Sequence, residues 1–123
     1  MCGIAGYFSP TGLFSEAQLH KMTDAIAHRG PDAFGYFKDH LVGLGHRRLS
    51  VIDLSENANQ PMYSADGRYV IVYNGEVYNY REIAAELKLK FKSEFKTSSD
   101  TEVLLEAYAR YGPDFVNKLN GMF

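Results

Sequence analysis

Three short strand-like runs, 33–37, 41–46 and 48–53, follow one another with connections of only a few residues. Parallel neighbours need a crossover of a dozen residues or more, so these runs pair antiparallel. Lys38-Asp39-His40 supplies a hairpin loop, and the glycines of Val42-Gly43-Leu44-Gly45 let other backbone approach closely. A further strand is predicted over 3–8. The strongest β run is Tyr69-Val70-Ile71-Val72-Tyr73, rich in β-branched and aromatic residues, and it leads directly into Asn74-Gly75.

Helix signals lie between these runs. Ser15 with Gln18 three residues later forms a capping box for a helix over 16–28, with Leu19, Met22, Ala25 and Ile26 on one face. Asn79 followed by Glu82 starts a helix over 80–88, after which Leu89, Phe91 and Phe95 alternate as in a short strand. Ser99 and Glu102 make a second capping box. The helix that it opens carries Val103, Leu104, Ala107, Tyr108 and Tyr111 on one face and stops at Gly112-Pro113. Loops are expected near 9–14, 54–67 and 96–99. Antiparallel strands covered by amphipathic helices imply an α+β layered fold and exclude a doubly wound parallel sheet.

With 123 residues and 46% hydrophobic content, the chain has enough core-forming sequence for one domain. A net charge of −2 gives no general attraction to phosphate, and the only dense basic patch is His46-Arg47-Arg48. Neither a nucleic-acid nor a membrane partner is expected. No apolar run is long enough to span a bilayer, and Met1-Cys2-Gly3-Ile4-Ala5-Gly6-Tyr7-Phe8 lacks a basic leader. The single cysteine cannot form an internal disulfide, which points to a cytoplasmic setting. The histidines at 20, 28, 40 and 46 and Cys2 show no metal-ligand spacing.

That cysteine is Cys2, directly after the initiator methionine, and its small side chain favours removal of Met1. A free α-amine is partly unprotonated at neutral pH, so one residue would then hold both a nucleophile and a base. The competing reading is a small hydrophobe at the start of a strand.

Cys2 belongs to a set of segments: Met1-Cys2-Gly3-Ile4-Ala5-Gly6, His28-Arg29-Gly30-Pro31-Asp32, His46-Arg47-Arg48-Leu49-Ser50-Val51-Ile52-Asp53, Gln60-Pro61-Met62, Tyr73-Asn74-Gly75-Glu76-Val77-Tyr78-Asn79 and Ser99-Asp100-Thr101-Glu102. In this order and spacing the sequence resembles the glutaminase domain of the asparagine synthetases. These are class II glutamine amidotransferases of the N-terminal-nucleophile hydrolase superfamily. The Arg48-to-Asp53 and Gln60-Pro61-Met62 segments resemble that branch more than its phosphoribosyl or glucosamine relatives.

The resemblance implies that Cys2 attacks the side-chain amide of L-glutamine, releasing ammonia and leaving a thioester that water converts to glutamate. Arg48 would grip the substrate α-carboxylate with two parallel hydrogen bonds, where an ordinary solvated arginine is the alternative; Arg47 is read as that ordinary case. Asn74 and the Gly75 N–H would form the oxyanion hole, although Asn-Gly after a β run is also a hairpin turn signal. Glu76 and Asp100 would hold the α-ammonium; alone, Asp100 is a first-turn acid that suits a helix N-terminus. Leu49, Ser50, Val51 and Ile52 would line the substrate slot partly through backbone groups, or simply form a strand. His28 is taken as structural, in a loop bordering the site.

By the same resemblance, the fold is an incomplete four-layer αββα sandwich, two antiparallel sheets between helices, with its C-terminal strands missing. The aspartate- and ATP-binding synthetase domain would also lie outside these residues. There is no Gly-x-x-x-x-Gly-Lys-[Ser/Thr] or Ser-Gly-Gly-x-Asp-Ser loop, so no cofactor is expected here, and ATP and magnesium belong to the absent domain. Exposed sheet edges would lead the chain to aggregate, dimerise or borrow strands. The alternative to an active glutaminase is a non-catalytic fragment or subunit of an asparagine synthetase.

Overall fold

The computed structural model describes residues 1–123, which divide into two compact units interleaved along the chain. The first comprises Met1–Val51, Asn59–Pro61 and Val72–Asn74; the second comprises Ile52–Ala58, Met62–Ile71 and Gly75–Phe123. Each combines helix with antiparallel strands, and the fold class is α+β.

In the first unit, β1 (Gly3–Phe8), β2 (Ala33–Lys38) and β3 (Val42–Arg48) form an antiparallel sheet with β3 in the centre. β3 pairs with β1 from Gly3↔Arg47 to Phe8↔Val42, and with β2 from Ala33↔Arg48 to Lys38↔Gly43. Asp39 closes the β2–β3 hairpin, its Oδ1 accepting the Leu41 and Val42 N–H groups at 2.7 Å each. α1 (Glu16–Ala25) begins at the expected capping box, Ser15 Oγ accepting from the Gln18 N–H and Gln18 Oε1 from the Ser15 N–H. It packs on one sheet face through the fully buried Leu19 and Thr23. The helix ends earlier than its sequence pattern suggests, and the chain tightens into a 3₁₀ turn over Ala27–Arg29.

The opposite face of this sheet takes the short segments 59–61 and 72–74. Gly35 makes that possible, because a methyl group there would collide with the Gln60 carbonyl oxygen. His46, opposite Gly35 in the ladder, reaches the Tyr73 carbonyl. The Gln60–Pro61 peptide bond is cis.

In the second unit, β4 (Met62–Tyr63) pairs with β5 (Val70–Ile71), and β6 (Glu76–Val77) pairs with β7 (Gly121–Met122). α2 (Tyr80–Phe91) and α3 (Asp100–Tyr111) pack together, with Ile83, Leu87, Val103, Leu104 and Ala107 buried. α3 begins and ends where the sequence places it, with Ser99 Oγ accepting the Thr101 N–H. Glu102 does not complete a capping box. Its carboxylate instead accepts the Lys96 and Thr97 N–H groups at 2.9 and 2.7 Å. Asn79 likewise turns away from its helix and bonds the Lys118 carbonyl and the Asn120 N–H, both at 2.9 Å.

Three expected strands are shortened or replaced. Residues 48–53 leave the sheet after Arg48, because the Ser50 N–H goes to the Asp32 carboxylate at 2.8 Å rather than to a ladder partner. The run 69–73 keeps only Val70 and Ile71 as strand. Leu89 and Phe91 belong to α2, which closes at Lys92 in the left-handed conformation. Asn74-Gly75 is not a tight hairpin turn either: β5 and β6 on its two sides pair with different strands, and Gly75 lacks the positive φ that such a turn needs.

Candidate functional site

The first unit holds Cys2, Arg48, Leu49, Ser50, Val51 and Asn74; the second holds Ile52, Gly75, Glu76 and Asp100. In the first unit the best-defined group is built around Cys2, which is half-buried at the start of β1. Its Sγ accepts the Leu49 N–H at 3.3 Å and lies 3.6 Å from the Leu49 carbonyl oxygen. Arg29 Nε donates to the Cys2 carbonyl at 3.0 Å. The thiol is therefore held on the backbone just after β3, and its own backbone is tied down by the turn that follows α1. Both residues bonded to Cys2, Leu49 and Arg29, line an open cleft of about 550 Å³ together with Met1, His28 and Pro31. Met1 is exposed.

The segment after β3 is shaped by side chains. Asp32 holds the Ser50 N–H, leaving Val51 projecting into solvent with 70% exposure. Arg48 is buried at the end of β3, where Nη1 donates to Asn59 Oδ1 at 2.7 Å. This rules out the solvated-arginine alternative. Arg47 is no free surface cation either: its guanidinium pairs with Asp24 and lies 4.7 Å from the Phe34 ring centre.

Asn74 follows a residue held on both sides. Gln60 Oε1 accepts the Tyr73 N–H at 2.5 Å, and His46 Nε2 meets the Tyr73 carbonyl at 3.2 Å. His46 is fully buried. Burial pushes its imidazole down to about 4, with the nearby Arg48 charge acting in the same direction against the bond to Tyr73.

In the second unit, Asp100 is buried at the first turn of α3, and its Oδ2 accepts the Val77 N–H at 2.9 Å. This bond joins the helix start to the strand that carries Glu76, so the two predicted acids share one substructure. Asp100 is thus more than a charge suited to a helix N-terminus. Asp53 fixes the approach to α3 by accepting the Ser98 N–H at 2.9 Å and the Ser55 N–H at 2.8 Å. Hydrogen bonds from Ser55 and then Ser98 hold its carboxyl well below the usual carboxylate range. Ile52, just before it, is exposed.

Sequence reasoning missed Asn59, Gln60 and His46 as individual positions. Gln60 and His46 lie within the Gln60–Met62 and His46–Asp53 segments, but only the covering of the sheet face shows what they bond. Arg29 and Asp32 enter the sequence reading only as members of the His28–Asp32 segment. Each makes a direct bond to the Cys2–Ser50 region.

Residues 1–123 match a family described as the glutamine amidotransferase domain. The whole chain aligns at 47% identity over 127 residues with asparagine synthetase (glutamine-hydrolyzing) 1 of Bacillus subtilis (strain 168), covering 20% of that protein. It aligns at 43% over 141 residues with putative asparagine synthetase (glutamine-hydrolyzing) 2 of Methanocaldococcus jannaschii, covering 27%. It also aligns at 43% over 136 residues with amidase chry2 of Gibberella zeae, covering 20%. The chain thus spans between a fifth and somewhat over a quarter of the length of these curated relatives.

Proposed function

The chain belongs to the glutamine amidotransferase domain family, and on that premise we propose that it hydrolyses the side-chain amide of L-glutamine to glutamate and ammonia through a thioester on Cys2. The observation that carries this reading is the position of the Cys2 thiol, held at the N-terminal edge of β1 by Leu49, a residue that also lines an open cleft.

Once Met1 is removed, the Cys2 α-amine takes the thiol proton and the sulfur attacks the amide carbon. Negative charge develops on the amide oxygen, where the Asn74 side-chain amide and the Gly75 N–H serve as donors. Collapse of this intermediate expels ammonia, with the amine returning the proton. Water then attacks the thioester and frees glutamate and the thiol. Arg48 supplies the planar cation for the substrate α-carboxylate. Glu76 and Asp100 supply negative charge for its α-ammonium, and Leu49 to Ile52 line the slot.

The ammonia passes to a synthetase portion that binds aspartate and ATP, the latter with magnesium, while this chain itself uses no cofactor. Two relatives are named as asparagine synthetases, which supports that acceptor. A cytoplasmic setting fits a small-molecule amide hydrolase with one free cysteine, and no helix is long and apolar enough to cross a membrane.

The test is ammonia and glutamate release from L-glutamine, with the N-terminal residue identified on the same sample. Equimolar release when Cys2 is exposed, and its loss in Cys2→Ala with glutamine binding retained, is the expected result. Undiminished release by Cys2→Ala would overturn the reading. No release by the folded chain with Cys2 exposed would favour the non-catalytic alternative.

A further inference from the structure

The Tyr73 backbone is held in an unusual way. In a strand its N–H and C=O would pair with neighbouring backbone, yet here two buried side chains take both. Gln60 Oε1 accepts the N–H, and His46 meets the carbonyl. A carbonyl only accepts, so His46 Nε2 carries the proton and Nδ1 is the unprotonated nitrogen. Nδ1 has no hydrogen-bond partner. This tautomer leaves a lone pair unmatched rather than an N–H, and a second proton would place a charge in a sealed site beside Arg48. The ring is therefore fixed as a neutral donor.

We propose that His46 and Gln60 form a clamp on Tyr73 that positions Asn74 for the oxyanion of the glutaminase reaction, so that His46 is a positioning residue that never meets the substrate. This rests on the glutaminase reading above. The clamp replaces the longer strand suggested by Tyr69–Tyr73. It fixes a loop residue through groups seated on the central strand β3 and on the segment that Gly35 admits against the sheet. Donors for a developing charge act best when already in place, because nothing then has to reorganise as the charge forms. Loss of the clamp should therefore affect turnover more than substrate affinity.

The experiment compares wild type with His46→Leu, which removes the donor at similar volume, and His46→Gln, which can present an amide N–H near the place of Nε2. Gln60→Leu and Gln60→Glu make the matching pair for the acceptor. The Leu variants should lower kcat by about tenfold or more while KM for glutamine stays within about threefold, and the Gln and Glu variants should recover most of kcat. Hydrogen exchange at the Tyr73 amide gives a second readout that needs no turnover. It should quicken in both Leu variants and return toward wild type in His46→Gln and Gln60→Glu. Unchanged kcat in His46→Leu, a change confined to KM, or failure of His46→Gln to outperform His46→Leu would overturn the proposal. If wild type releases no ammonia, the glutaminase reading fails by itself and exchange decides whether the clamp exists: no quickening at Tyr73 would remove it.

Discussion

Arg48 is buried with its guanidinium on Asn59, so the cation proposed to hold the substrate carboxylate is oriented before any ligand arrives. A lysine ammonium carries the charge but not the planar fork. Arg48→Lys should therefore raise KM for glutamine about tenfold or more, since a charge-assisted hydrogen bond contributes about 1.5–3 kcal/mol. Kinetics that leave KM unchanged would remove Arg48 from the carboxylate role. At this scale the sequence was informative about residues whose chemistry is local. Cys2 stands out by position, Arg48 by its segment and Ser15 by its spacing to Gln18. Asn59, Gln60 and His46 were not legible individually, because their roles depend on a remote segment lying on one sheet face. The bond from the Val77 N–H to Asp100 was not legible either, because it joins residues that no short window contains.

At the scale of elements, β1 and β2 were read as short strand-like runs and α1 and α3 from caps and helical spacing, and the structure keeps them with shifts at their ends. Strands were overestimated where side chains supply the backbone's partners. Asp32 draws the chain away after Arg48, and Gln60 with His46 ends the Tyr69–Tyr73 run early. β propensity describes a fit to a pleated surface and does not say whether a partner strand is present. The Leu89–Phe95 alternation failed for a different reason: α2 runs on through Phe91, and in a helix residues two apart lie on nearly opposite faces, so Leu87 is buried while Leu89 is exposed. Gly35 gives a prediction at this scale. An added methyl group would press on the Gln60 carbonyl and on Pro61 Cδ, 2.9 Å away. Gly35→Ala should lower stability by roughly 1–3 kcal/mol and quicken exchange at the Tyr73 amide. An unchanged denaturation midpoint would mean that the 59–61 segment does not need this close seat.

For the whole molecule, titration should separate two sources of stability. His46 titrates at about 4 in the fold against an ordinary 6.5, so between those values the unfolded chain binds the extra proton. Its contribution is present above about 6.5 and declines as pH falls toward 4. Glu86 is held at about 2 by hydrogen bonds from Lys90, Tyr111 and Lys118, against an ordinary 4.5. Its contribution is present above 4.5 and is lost as pH falls toward 2. Melting temperature should therefore fall in two stages on acidification; His46→Gln should flatten the upper stage and Glu86→Gln should reduce the lower one. A single stage that neither substitution alters would contradict this assignment. The family was legible from the combined motifs, whereas the division into two units was not, since each unit gathers three separate stretches of chain.

The proposed thioester on Cys2 is tested most directly by mass analysis of the chain acid-quenched during reaction with L-glutamine. The expected result is a γ-glutamyl adduct on the peptide that begins with Cys2, formed with ammonia release and lost as glutamate appears. Glutamine turnover with no adduct on that peptide, or an adduct that persists in Cys2→Ala, would contradict it.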